Sequence, residues 1–181
     1  MANDDYLKQT IETALAAAKP RDLHRTLFNL ADCYNQTAEM ALSRISSSSN
    51  ADFAAPAIMC RSFAIELLLK FFIVVEHPLA KSKTELKSLG ANLNGHTYSQ
   101  LFDRISPFHQ QLIANEHSES TGTPTSTAMF RRFLISIGDK PFVDWRYIYE
   151  ESCQKNIDME LFACLAESLG LAAQDVTRSV S

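Results

Sequence analysis

The residues with the clearest chemical potential are Glu66 and Lys70, which stand four residues apart in the most apolar stretch of the chain. On a helix, a glutamate followed by a lysine at this spacing forms a favourable ion pair. The neighbouring residues Met59, Phe63 and Ile73 are apolar, which predicts that the pair is partly buried. Because burying two charges is costly without further hydrogen bonds, we expect a third polar group from elsewhere in the chain.

Two later segments are candidates for that third group. His96 follows Gly95 at the start of a predicted helix, and Arg146 lies between Trp145 and Tyr147. An arginine can bind a carboxylate through paired hydrogen bonds, and a histidine can change charge near neutral pH. Two interpretations stay open for the glutamate, the lysine and these two side chains. They form either an internal polar network that sets the helix register, or a binding or catalytic cluster for an anionic ligand.

Charge and motif content exclude several classes of function. The net charge of −4 gives no general attraction to nucleic acid or to an anionic membrane. A local contact with a phosphate backbone could come from Arg131 and Arg132, although adjacent arginines are also typical of a solvated helix edge. The histidines and cysteines lack the paired spacing of a metal site, and no glycine-rich phosphate loop is present. We therefore predict no metal and no cofactor.

The cysteines and the apolar stretches indicate a compartment. None of the four cysteines forms a Cys-x-x-Cys pair, which is typical of small buried thiols in a reducing environment. These residues are Cys33, Cys60, Cys153 and Cys164. The acidic, polar N-terminus does not resemble a secretory signal, and the apolar stretch 63–75 is too short to span a bilayer. We expect a cytoplasmic protein with no membrane partner.

The elements that must position these residues are helices. Apolar residues recur at helical spacing along most of the chain, which predicts an all-α, single-domain bundle of about five to seven helices over 1–181. A long central helix near 57–76 is apolar nearly all round, with Asp52 as its cap and Pro56 in its first turns. Polar stretches predict loops at 46–50, 77–95 and 117–126, with one helical turn near 84–89.

Further helices are predicted on both sides of this central helix. Their ranges are 6–19, 22–45, 96–105, 107–116, 128–137 and 158–177. The segment 139–151 fits both a strand and a helix, because its aromatic residues satisfy either period.

Three motifs, in this order, resemble the HEPN superfamily of prokaryotic helical-bundle proteins. They are Ser-Phe-Ala-Ile-Glu-Leu-Leu-Leu-Lys over 62–70, Gly95-His96 followed by Leu101-Phe102, and Phe142-x-x-Trp145-Arg146-Tyr147. Members often occur beside nucleotidyltransferases or in toxin–antitoxin and phage-defence systems. The resemblance implies a HEPN-like, dimerising bundle that binds RNA, a nucleotide or a partner protein such as a nucleotidyltransferase or an antitoxin.

Many HEPN proteins are metal-independent ribonucleases with an Arg-x4–6-His motif on a late helix. Their histidine moves a proton and their arginine stabilises the charged transition state. The predicted last helix, 158–177, contains neither residue, so the resemblance implies a non-catalytic module. Arg104 and His109 have the motif's spacing, but Ser106 and Pro107 predict a helix start between them. The alternatives are a metal-independent endoribonuclease that uses these two residues, and a purely structural interaction bundle.

Overall fold

Seven α-helices and one 3-10 turn make up the secondary structure of the described part of the chain, which contains no strand. The computed structural model describes residues 9, 22–48, 51–142 and 158–179. The helices are α1 (Leu23–Ser48), α2 (Ala54–Val75), α3 (Lys83–Ser88), α4 (Tyr98–Phe102), α5 (Pro107–Thr121), α6 (Thr127–Ser136) and α7 (Met159–Ser179). The prediction of an all-α fold is confirmed for these residues. None of the described helices has the length and apolar character needed to cross a membrane.

Helix α2 is the core helix, as its composition predicts. Leu69, Phe71 and Phe72 are fully buried, and α2 carries apolar residues on all sides. Helix α1 packs along most of α2, while α4 and α7 contact other sides of it. A helix enclosed in this way needs no polar face, which explains its almost continuous apolar sequence.

The start of α2 differs from the sequence prediction. Asp52 does not cap the helix, because it lies in the 3-10 turn Ala51–Phe53. Phe53 occupies the cap position and makes no side-chain capping bond. Pro56 is the third residue of α2, where its missing N–H removes no helical hydrogen bond.

Two of the predicted loops are partly helical. The loop prediction 46–50 is wrong over 46–48, where α1 continues and the Ser48 hydroxyl donates to the Arg44 carbonyl at 2.6 Å. The loop prediction 117–126 is wrong over 117–121, because α5 extends to Thr121. It ends only at Gly122, which has a φ of 67° that L residues rarely adopt. The connection 77–95 contains α3, close to the predicted turn at 84–89.

The remaining helix boundaries follow local signals. Ser106 caps α5, and Pro107 is its first residue, as predicted. The Asp158 carboxylate accepts a hydrogen bond from the Leu161 amide at 2.9 Å and so begins α7. Helix α4 is shorter than the predicted 96–105. Apart from residue 9, the predicted helix 6–19 lies outside the described residues, and so does most of the ambiguous segment 139–151.

The cysteines are less buried than predicted. Cys33 is exposed, while Cys60 and Cys164 are partly buried, and Cys153 lies outside the described residues. The buried stripe of α1 runs through Ala31 and Ala38, which turns Cys33 toward solvent. Helical spacing alone could not identify this inward stripe.

Candidate functional site

The centre of the candidate site is the Glu66 carboxylate, which is 0% exposed in the middle of α2. Its Oε1 atom accepts a hydrogen bond from Lys70 Nζ at 2.6 Å. His96 Nδ1 lies 2.9 Å from Oε2 and 3.0 Å from Oε1. The structure thus brings Glu66, Lys70 and His96 together as one cluster, named here the Glu66 cluster, and His96 is the third polar group that the burial of the pair requires.

The contact with the carboxylate determines which nitrogen of His96 carries a proton. A carboxylate that also binds an ammonium group can only accept, so Nδ1 of His96 must be the donor. This leaves Nε2 for a second partner. The His96 side chain is 51% exposed and that of Lys70 is 15% exposed, so both side chains reach the surface from a fully buried carboxylate.

The loop before α4 places His96 on the core helix. Gly95 has a φ of 98°, a conformation that glycine adopts without steric cost. Arg104 Nη1 donates to the carbonyl oxygens of Asn92 at 3.0 Å and Asn94 at 2.6 Å. The Arg104 side chain therefore braces the loop that carries His96.

Helix α4 is anchored next to the cluster. The buried Tyr98 hydroxyl donates to the Ser62 carbonyl at 2.6 Å. Burial, followed by the negative charge of Glu66, raises the pKa of Tyr98 well above its usual value, so this hydroxyl stays a donor. At the same helix start, the Asp139 carboxylate accepts from the Ser99 amide at 2.8 Å and from its hydroxyl at 2.7 Å.

Aromatic rings flank the cluster on one side. The rings of Phe63 and Phe142 are stacked with centroids 4.9 Å apart, and Tyr34 meets Phe63 edge-on at 4.7 Å. The imidazole of His96 lies 6.5 Å from Phe142. All three aromatic residues are partly exposed. Arg146, the other cation predicted for this site, lies outside the described residues.

The second candidate pair, Arg104 and His109, binds separate partners. His109 Nδ1 lies 3.0 Å from Glu76 Oε1, and the Ser106 amide donates to the same oxygen at 2.8 Å. Burial raises the pKa of Glu76, but hydrogen bonds from His109 and Ser106 outweigh it and hold the pKa below its usual value. His109 thus stabilises the start of α5, whereas Arg104 stabilises the loop before α4.

The structure also shows polar contacts that sequence reasoning missed or left open. Arg131 forms a two-point ion pair with Asp103, with both N–O distances 2.7 Å, while Arg132 is exposed. His117 Nδ1 lies 2.9 Å from the Ser168 hydroxyl in the interior. These partners are far apart in sequence, and no local signal links them. Within the described ranges, no group of three or more histidine, cysteine, aspartate or glutamate side chains is placed to hold a metal ion.

The described residues define an all-helical protein whose core helix carries a buried carboxylate that binds a lysine and a histidine near the surface. Comparisons of the chain with protein-family models, curated proteins and solved structures found no match. The HEPN resemblance therefore stays a prediction.

Proposed function

We propose that this protein is a non-catalytic, HEPN-like helical module that dimerises and binds RNA or a nucleotide through the Glu66 cluster. A partner protein, such as a nucleotidyltransferase or an antitoxin in a defence system, is the second candidate ligand. The observation that carries the proposal is the fully buried Glu66 carboxylate, which holds Lys70 and a half-exposed His96 beside stacked aromatic rings.

The chemistry of this surface suits a phosphate linked to a base. The Lys70 cation and the His96 ring both reach the surface beside Glu66, and N–H groups of these side chains can bind phosphate oxygens. Single-stranded RNA is bound through such cations together with aromatic rings on which bases stack. Phe142 lies near His96, Phe63 stacks on Phe142, and these two partly exposed rings supply that second element.

The separate contacts of Arg104 and His109 favour the non-catalytic form of the proposal. A metal-independent ribonuclease needs a proton-transferring histidine and a charge-stabilising arginine at one phosphate. Here the Arg104 guanidinium is bound to two loop carbonyls, and His109 is bound to Glu76. Using them as a catalytic pair would require breaking both sets of hydrogen bonds.

RNA binding and cleavage can be tested together. We expect a fluorescently labelled single-stranded RNA to bind with a salt-dependent anisotropy change and to stay intact in EDTA. His96→Ala should weaken binding about tenfold, since one charged hydrogen bond is worth roughly 1.5–3 kcal/mol. His109→Ala is the matched control and should bind like the wild type.

Three outcomes would contradict parts of this proposal. Cleavage in EDTA that His109→Ala or Arg104→Ala abolishes would establish the endoribonuclease alternative. If the wild type binds neither RNA nor a nucleotide, the proposed ligand is wrong. The partner-protein and purely structural alternatives then remain. A monomeric mass by light scattering at micromolar concentration would contradict the dimer.

A further inference from the structure

A pocket of about 250 Å³ lies between the end of α5, the helix α6 and the start of α7. His117 and Thr121 line it from α5, Phe133 lines it from α6, and Asp158 and Leu161 line it from the start of α7. We call this space the His117 pocket. Its volume is below the roughly 300–1,000 Å³ of sites for drug-sized ligands, so it suits a smaller molecule.

His117 is 3% exposed, and only one of its ring nitrogens has a hydrogen-bond partner among the described residues. Nδ1 lies 2.9 Å from the Ser168 hydroxyl oxygen, which donates to the Cys164 carbonyl at 2.7 Å. Nε2 has no such partner, yet it is not one of the unpaired polar atoms that are fully buried in the described chain, which are Asn35 Oδ1 and Arg61 Nε. Nε2 therefore keeps accessible surface, and the pocket that His117 lines is the space that it faces.

The contact with Ser168 determines the role of each nitrogen. The Cys164 carbonyl can only accept, so the Ser168 hydroxyl donates its proton there, and its oxygen accepts a hydrogen bond from Nδ1–H of His117. Nε2 of the neutral ring is then an acceptor without a proton. Burial lowers the pKa of His117, which favours this neutral ring at pH 7.5. Because polar atoms in the interior are nearly always paired, an acceptor that faces the pocket indicates a ligand with a donor.

The other polar groups of the lining are acceptors as well. The Thr121 hydroxyl donates to the His117 carbonyl at 2.6 Å, and the Thr125 hydroxyl donates to a neighbouring carbonyl at 3.0 Å, so both oxygens can only accept from a ligand. The carboxylates of Asp158 and Glu160 also line the pocket, on residues that are exposed. No lysine or arginine of the described residues lines it. The complement of these acceptors and this negative charge is a cation with several N–H donors.

We propose that the His117 pocket binds the ammonium group of a small primary amine. One N–H of the ligand donates to His117 Nε2 and another donates to Thr121 Oγ1, while the two carboxylates attract the positive charge. The alkyl chain packs against Phe133 and Leu161. None of these residues belongs to the Glu66 cluster, so this inference does not depend on the function proposed above.

Four probes of similar size test this recognition by ligand-observed saturation-transfer NMR titrations of the full chain at pH 7.5. The n-butylammonium ion has both the charge and the N–H donors, whereas tetramethylammonium has the charge alone. Neutral 1-butanol has a single donor, and butyrate carries the opposite charge. We expect n-butylammonium to bind more tightly than each of the others by about fivefold or more, because hydrogen bonds to charged groups are the stronger ones. Equal affinities for the two cations would overturn the proposed hydrogen bonds.

The ring nitrogens of His117 report the location of binding directly. In long-range proton–nitrogen correlation NMR of the labelled chain, a ring nitrogen without a proton has a resonance distinct from that of an N–H nitrogen. Accepting a hydrogen bond moves this resonance toward the N–H position. We expect n-butylammonium to move the Nε2 resonance of His117 and to leave the resonances of His96 unchanged. A His117 resonance that stays in place at saturating amine would overturn the proposed location.

Variants of the lining provide the third part of the test. Asp158→Asn combined with Glu160→Gln removes both charges and keeps a capping residue at the start of α7, and it should weaken amine binding by about fivefold or more. Thr121→Val replaces one hydroxyl with a methyl group of similar shape and should also weaken binding. His117→Leu removes the acceptor nitrogen and should abolish binding. Glu119→Gln changes an exposed glutamate on α5 that does not line the pocket, and it is the matched control.

The outcomes of these measurements are distinct. Circular dichroism and the melting temperature show whether each variant is folded, and if His117→Leu does not fold, Thr121→Val and the double variant decide. Wild-type affinity in these folded variants would overturn the proposal, as would the absence of amine binding to the wild type. RNA binding by Thr121→Val is expected to equal that of the wild type, which separates this site from the Glu66 cluster.

Discussion

At the scale of single residues, the main feature is a carboxylate in the interior of an apolar helix. Burying an ion costs about several kcal/mol unless hydrogen bonds and an opposite charge replace its lost hydration. Lys70 and His96 provide that replacement for Glu66, with contacts of 2.6 and 2.9 Å. These contacts of Lys70 and His96 therefore meet a structural requirement of the core.

The first prediction concerns Glu66. Replacing it with alanine leaves Lys70 and His96 without their shared anion, and we expect a loss of about 3–5 kcal/mol in the free energy of unfolding. Urea unfolding followed by circular dichroism measures this loss. Glu119→Ala, an exposed glutamate on α5, is the control and should change the stability by no more than about 0.5 kcal/mol. A loss below about 1 kcal/mol for Glu66→Ala would mean that water reaches the carboxylate.

At the scale of elements, two glycines have opposite roles. Gly170 lies inside α7, where glycine has no conformational advantage and the space around its missing Cβ is open. Gly122 ends α5 with a positive φ of 67°, which any side chain would strain. The same residue type therefore weakens one helix and terminates another.

The second prediction follows from this contrast. Gly170→Ala should stabilise the protein by about 0.5–1 kcal/mol, because alanine restricts the unfolded chain and favours the helix. Gly122→Ala should destabilise it by about 1–2 kcal/mol, the cost of an L residue in the left-handed region. Thermal unfolding of both variants beside the wild type measures the two shifts. Shifts of the same sign would contradict this assignment of roles.

At the scale of the whole molecule, the core extends from α2 to the packing of α5, α6 and α7. His117 on α5 is 3% exposed there, hydrogen-bonded to Ser168 on α7 and within 5.5 Å of the rings of Phe130 and Phe133 on α6. Burial lowers its pKa. Burial is also the main cause that lowers the pKa of His24 on α1.

The third prediction is a loss of global stability as the pH falls. An unfolded histidine binds a proton below about pH 6.5, at a pH where the folded His117 does not, so the unfolded state gains protons first. Stability should therefore decrease from pH 7.5 to pH 5.5, with each such group contributing a slope of at most about 1.4 kcal/mol per pH unit. Urea unfolding at a series of pH values measures the slope.

A variant isolates the contribution of His117. His117→Gln keeps a hydrogen-bonding group for Ser168 but cannot be charged, so the slope should become smaller. The slope that remains should fall further when His24→Gln is added. Equal slopes for the wild type and both variants would show that folding lowers the pKa of neither histidine.

Local patterns in the sequence determined the helical class and most of the helix starts. The apolar run of α2 and the capping signal of Ser106 and Pro107 depend on residues within one or two helical turns. They could therefore be predicted from the sequence alone. The pairing of Glu66 with Lys70 is also local, because the two residues are four positions apart on one helix. These features depend on neighbours along the chain, and the structure retains them.

Only the tertiary structure decided which distant groups meet. The contact of His96, one of the two predicted candidates, with the buried carboxylate depends on a loop that Gly95 turns and Arg104 holds in place. The contacts of His109 with Glu76 and of His117 with Ser168 depend on how helices far apart in sequence pack together. Helical periodicity indicates which face of a helix is apolar, but it does not specify the helix that covers that face. The Glu66–Lys70 pair was therefore predictable from the sequence, while its contact with His96 required the packed structure.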